Sequence, residues 1–205
     1  AAMVRYETPE NIESGQAQIA ALGLTNIELH AKSILDVDEA LGTFDYVICH
    51  GVFSWVSEAV QEKILAVCKA LIAPQGVVFV SYNTFPGWHL RRMVRDLVRY
   101  HTRDEDDPDA RASKAVELVH FLADVAGDAP DAHAVFYRAA RDDFEEMRER
   151  PSYLLHEYLE ETNAPTYFHD FARRAAAHGL QYLGESEPEL MEADNLPRGV
   201  AERLR

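Results

Sequence analysis

The stretch from Gly76 to Trp88, GVVFVSYNTFPGW, narrows the fold more than any other part of the chain. Val77 to Val80 is an unbroken apolar run, the pattern of a strand buried on both faces of a parallel sheet. At Ser81 the run turns polar and aromatic, and it breaks at Pro86-Gly87. Ligands of open α/β sheets sit just beyond the carboxyl ends of such strands. Tyr82, Asn83 and Trp88 are therefore expected at the rim of a site. The plainer alternative is a strand that ends in a turn, for which YN-x-x-PGW is an unusual text.

The rest of the chain supplies the alternation such a sheet needs. Val4 to Glu7 reads as a strand ending in an acid. Thr8-Pro9-Glu10-Asn11 reads as a helix start, with Thr8 as N-cap and Pro9 at the first helical position. That helix carries Ile12, Ala17, Ile19, Ala20 and Leu22 and ends at Gly23. Ile27 to Leu29 is the next strand, and Asp36 to Leu41 one short helix or turn. Phe44 to His50 is a buried parallel strand with a polar switch at its end. An amphipathic helix starts at Ser54 or Ser57, runs to Leu71, and is stopped by Ala73-Pro74-Gln75-Gly76. Strand, helix, strand, helix, strand predicts a doubly wound, Rossmann-like α/β sheet.

After Trp88 the text becomes helical: Leu90 to His101, Ala110 to Val125, Asp131 to Arg148 and Ser152 to Glu161. This block is long for a connection in a compact α/β unit. It reads as an insertion that folds over the active edge of the sheet, with an independent helical domain having its own core as the alternative. The α/β pattern returns with a helix from Tyr167 to His178 and a strand from Leu180 to Gly184, followed by a loop and one terminal helix. The expected division is a core at 1–88, a helical cap at 89–162, and a return to the core at 163–205.

Composition sets limits on function. The 205 residues carry a formal net charge of −15, whereas a nucleic-acid binder presents a basic face, so nucleic acid is not an expected partner. There is no apolar run of about 18 residues and no signal peptide, which predicts a soluble chain with no membrane partner. Cys49 and Cys68 fall in a strand and a helix and read as small buried hydrophobes, in keeping with a cytoplasmic location.

Several positions carry chemistry in this frame. Glu7, at a strand end, can accept two hydrogen bonds from ribose hydroxyls. It can equally be a helix N-terminal charge favoured by the macrodipole, and position alone leaves the two even. Ser33 and Ile34 offer an edge hydrogen bond and an apolar face of the kind adenine needs, although an ordinary loop is the better explanation of the pair taken alone. Gly51 permits close backbone approach. His50 beside it can bind a ligand, act as a base, or serve as a structural hydrogen-bonding residue. His156-Glu157-x-x-Glu160 lacks the second histidine of a zinc-protease helix, and no Cys/His cluster has ligand spacing, so no metal is expected. G-x-S-x-G and Walker A sequences are absent.

Three long stretches carry a family resemblance: FDYVICHGVFSWV (Phe44 to Val56), SYNTFPGWH (Ser81 to His89) and YLLHEYLEETNAPTYFHDFARRAAAHGLQYLGE (Tyr153 to Glu185). With the helix from Pro9 and ALGLTNIEL, they resemble class I S-adenosylmethionine-dependent methyltransferases. The likeness is to the bacterial group with a methyltransferase regulatory domain, which includes the rickettsial protein lysine methyltransferases. The resemblance implies S-adenosylmethionine as cofactor and a nucleophilic methyl acceptor as partner. That acceptor is a protein lysine or a small molecule; a non-catalytic protein-binding module is the alternative outside the enzymes. It also implies that Glu7 holds the ribose and that Ser33 and Ile34 contact adenine, where the family more usually has an aspartate near Ser33. His50, Gly51 and Val52 then flank the methionine part, and Tyr82, Asn83 and Trp88 face the acceptor. The family's glycine-rich loop is expected about twenty residues before Glu7 and its last strand after the tail. A chain of these 205 residues alone is therefore expected to lack the core's first and last strands and to be inactive.

Overall fold

The computed structural model describes residues 2–4 and 9–204. In chain order it contains β1 (Ala2–Val4), α1 (Pro9–Ala21), β2 (Glu28–His30), β3 (Phe44–Cys49), α2 (Glu58–Leu71) and β4 (Ile72–Val80). Helices α3 (Trp88–His101), α4 (Pro108–Ala126), α5 (Ala132–Met147) and α6 (Pro151–Leu154) follow. The chain closes with α7 (Phe168–Ala177) and α8 (Arg198–Leu204). It divides into an α/β unit, 1–82 with 166–205, and a helical unit, 83–165.

In the α/β unit the strands pair in parallel, β1 with β2 and β3 with β4, as two separate two-stranded ladders. Pro9 does open α1, and Gly23 ends it at φ +63°, a conformation open to glycine at little cost. The segment read as one helix or turn is two short 3₁₀ turns, Ile34–Asp36 and Glu39–Leu41. Each is capped by the preceding side chain: Ser33 Oγ accepts from Leu35 N–H, and Asp38 from Ala40 N–H.

Three strand expectations need correction. Ala73-Pro74-Gln75-Gly76 is not a loop after α2, because β4 begins at Ile72, immediately after the helix. Phe44 pairs with Ile72 but Tyr46 with Val77, so the extra residues form a bulge in β4. Gly76 makes that bulge possible, since a Cβ there would lie 2.8 Å from the Asp45 carbonyl oxygen and 2.6 Å from Ile72 Cδ1. Backbone cannot give way as a side-chain tip can. Gly76→Ala is expected to destabilise the protein by about 1–3 kcal/mol, read as a lower denaturant midpoint with an unchanged slope. A midpoint equal to wild type would contradict the close approach.

The second correction concerns burial. Strands β3 and β4 are covered on one face only: Val47, Cys49, Val78 and Val80 pack on Phe53, Ile64, Leu65 and Cys68. Tyr46 and Ile48 are 72% and 70% exposed, and Val77 points the same way. Helices α2 and α7 border the first face, and no element among the described residues buries the second. The strand expected at Leu180–Gly184 is also absent. Leu183 stands exposed, and Tyr182 donates locally to Glu185 at 2.7 Å, so this segment makes no ladder.

The helical unit has a core of its own. Val94, Val98, Ala112, Ala115, Val119, Ala140, Phe144, Met147, Leu154, Tyr158 and Leu159 form one buried cluster. Sequence chemistry sets its helix starts. Asp107 accepts from Ala110 N–H at 2.8 Å ahead of Pro108, and Asp131 accepts from both His133 and Ala134 N–H. Instead of one helix to Glu161, α6 passes into a π-helical turn, Leu155–Leu159. Arg95, only 3% exposed, takes up the carbonyls left at that end: its guanidinium donates to those of Glu157 and Glu160, and Arg99 donates to that of Glu161. Burial and the neighbouring Arg99 push Arg95 down to about 10, which leaves it charged at neutral pH.

Candidate functional site

The carboxyl end of β3 is locked into a tight turn. Gly51 has φ +69°, and its N–H donates to Ser81 Oγ at 2.8 Å, while Ser81 N–H donates to the Cys49 carbonyl at 3.0 Å. Positive φ strains any L-residue. A Cβ on Gly51 would meet nothing within 4 Å, so the space above its backbone is open. The chain then drops into the core through a 3₁₀ turn, Phe53–Trp55, where Phe53 is fully buried and Ser54 is 1% exposed.

Around this turn the structure gathers part of the expected set. Ile34, Val52 and Tyr82 border the same buried cluster, centred on Phe53, Ile64, Leu65 and Cys68. Ser33 caps its own turn, adjoining Ile34. His50 is exposed, its ring 5.9 Å from that of Phe79. Tyr82 stacks on Phe171 at 4.2 Å and meets Phe53 edge-on at 6.2 Å. Burial pushes its phenol up to about 12, with Glu185 and Tyr182 adding to the effect, so Tyr82 is neutral at physiological pH. Cys49 and Cys68 are free, and burial raises both thiols, to about 11 and about 12.

Asn83 and Trp88 belong to the helical unit. Trp88 opens α3, donates through Nε1 to Asn163 Oδ1 at 2.9 Å, and lies 5.5 Å from the Arg91 guanidinium. Arg91 reaches Glu157 at 3.7 Å and Asp143 at 3.8 Å. Glu7 lies outside the described residues.

Sequence reasoning missed the layer beneath the turn. Gln61, 3% exposed, donates through Nε2 to the Phe53 carbonyl at 2.7 Å and accepts from Arg174 Nη1 at 2.9 Å. Arg174 Nε donates to Glu62 at 2.7 Å, and His178 Nε2 lies 2.7 Å from the other Glu62 oxygen. The hydrogen bonds from His178 and then Arg174 hold the Glu62 carboxyl below its ordinary value of 4.5. A carboxylate so depressed contributes stability that is fully present above pH 4.5 and is lost as pH falls through its folded-state value. Glu62→Gln should therefore lower thermal stability at pH 7 more than in acid. Equal losses in both would show that the charge on Glu62 plays no part.

Comparison with known proteins bears on this arrangement. Residues 7–76 match the family described as "Methyltransferase domain", and residues 150–205 match "Predicted methyltransferase regulatory domain". The uncharacterized protein RP028 of Rickettsia prowazekii (strain Madrid E) is 40% identical over 172 residues, which make up 84% of this chain and 68% of that protein. Uncharacterized protein RP789 of the same organism is 37% identical over 194 residues, 95% of this chain and 35% of its own length. The structure of PKMT2 from Rickettsia typhi superposes with a TM-score of 0.83 at 40% identity, covering 99% of this chain and 38% of that one. The same protein in complex with AdoHcy gives a TM-score of 0.82 at 39% identity over the same shares of the two chains. The chain thus spans 35% of RP789 and 38% of PKMT2.

Proposed function

Because the chain belongs to the family of methyltransferases that carry a regulatory domain, we propose that the protein transfers a methyl group from S-adenosylmethionine to a lysine side chain of a protein. The observation that carries this reading is Gly51: a backbone turn at the carboxyl end of a parallel strand, held by Ser81, with open space above it. The residues around it fit the donor. Gly51 lets a ligand lie against the backbone, Ile34 and Val52 offer apolar surface, and Ser33 has a hydroxyl for an edge contact. The bound donor supplies a sulfonium methyl already activated toward a nucleophile. The protein's share of the work is then alignment and exclusion of water.

Tyr82, Asn83 and Trp88 are assigned to the acceptor side and Glu7 to the ribose. Tyr82, neutral at physiological pH, serves there as a hydrogen-bonding and aromatic group rather than as a base. The helical unit, inserted in the chain between β4 and α7, is assigned the role of cap. A lysine acceptor is supported by the similarity to PKMT2 and by the net charge of −15, which favours a basic partner. Two unpaired cysteines are in keeping with a cytoplasmic location.

The test is mass spectrometry of lysine-rich proteins incubated with the purified full-length protein and donor carrying a labelled methyl group. Label on lysine Nζ is expected, and it should fall several-fold in Asn83→Ala and Trp88→Ala. Label on small molecules with none on protein would overturn the choice of acceptor.

A further inference from the structure

We propose that Arg174 is a positioning residue for the donor-side turn His50–Phe53, acting through Gln61 on the Phe53 carbonyl. The proposal rests on the reading of that turn as part of the methyl-donor site. Its physical basis is a chain of contacts running from α7 to the turn. Arg174 Nη1 donates to Gln61 Oε1 at 2.9 Å, and Gln61 Nε2 donates to the Phe53 carbonyl at 2.7 Å. An amide held at its oxygen cannot flip, so the Arg174 contact fixes which end of Gln61 faces Phe53.

Arg174 is held in turn by Glu62 through Nε, and Glu62 by His178. The guanidinium also lies 5.4 Å from the centre of the Phe53 ring, against which Phe171 packs edge-on at 5.3 Å. Phe171, Arg174 and His178 recur at helical spacing and engage α2 and the turn together. The turn is therefore tied twice, at Gly51 by Ser81 and at Phe53 by Gln61. All three residues lie within the segment matching the regulatory-domain family. This gives that segment a direct mechanical hold on the donor side.

The arrangement makes a specific prediction about how the binding and rate constants divide. Removing Arg174 frees Gln61 and loosens the Phe53 end of the turn, while no group that touches the acceptor changes. In the full-length protein, Arg174→Met should raise the donor KM and the S-adenosylhomocysteine Kd about tenfold, roughly 1.4 kcal/mol, with kcat at saturating donor held within about twofold. Gln61→Leu should do the same, and the double variant should be no worse than either single one, because the two residues act in series. Gln61→Glu keeps an acceptor for Arg174 but sets a carboxylate oxygen against the Phe53 carbonyl in place of a donor, so it should lose donor affinity as well. Arg173→Met, which alters an exposed neighbour bonded to Asp170, is the control expected to change nothing.

Unchanged donor affinity in folded Arg174→Met, or additive losses in the double variant, would overturn the proposal. Should the wild-type protein not bind S-adenosylhomocysteine, the donor-site reading fails by itself. The clamp is then judged by amide hydrogen exchange at residues 51–55, which must speed up in Arg174→Met and Gln61→Leu but not in Arg173→Met.

Discussion

Gly51→Val is expected to cost the protein roughly two orders of magnitude in S-adenosylhomocysteine affinity, about 2.8 kcal/mol, while leaving it folded. The two effects separate because of what surrounds the residue. The φ of +69° adds strain for a side chain, about 1–2 kcal/mol. No atom lies within 4 Å of the added Cβ, so the fold itself meets no clash. Bulk placed in that open space obstructs only a ligand approaching the backbone. Titration calorimetry beside a thermal melt distinguishes the outcomes. A stable variant that binds as well as wild type would move the donor away from the end of β3.

Phe144→Ala is expected to destabilise the helical unit by about 3–5 kcal/mol, the range for deleting a large buried aromatic side chain. Phe144 is fully buried, its ring is 4.4 Å from that of Tyr158, and it belongs to a cluster drawn entirely from α3, α4, α5, α6 and the π-helical turn. Because that core is self-contained, the loss should be local. Amide protection should drop in α3, α4 and α5 while β3 and β4 keep theirs. A uniform loss across both units would show that they unfold together.

The alternation of strands and helices was legible because each element carries its own local signal. Pro9 opens α1, aspartates precede α4 and α5, and the apolar text of Phe44–Cys49 ends where the strand ends. Burial was less legible. An apolar run does not say which face will find a partner, and Ile48 is as apolar in sequence as Val47 yet stands exposed beside Tyr46. The Leu180–Gly184 segment shows the same limit, since strand propensity without a neighbouring ladder gives no strand.

The site divided in a similar way. The turn His50–Val52 was singled out from the polar switch at a strand end, and β3 does end at Cys49 with Gly51 at positive φ just beyond it. Gln61 and Arg174, 113 positions apart, were not singled out, because a hydrogen bond between distant residues leaves no local pattern. Phe171 and Arg174 share one face of α7, with His178 at its C-cap, but that spacing alone does not name Gln61 as the partner. Ser81 was read as the polar switch of β4, and nothing in that text tells that its hydroxyl would serve Gly51 across the ladder.

The central claim is that the carboxyl end of β3 receives the methyl donor. Hydrogen–deuterium exchange of the wild-type protein, with and without saturating S-adenosylhomocysteine, addresses it most directly. The account predicts ligand-dependent protection at residues 33–35 and 50–53. Protection confined to other segments, such as α4 and α5, with these two turns unchanged, would contradict it.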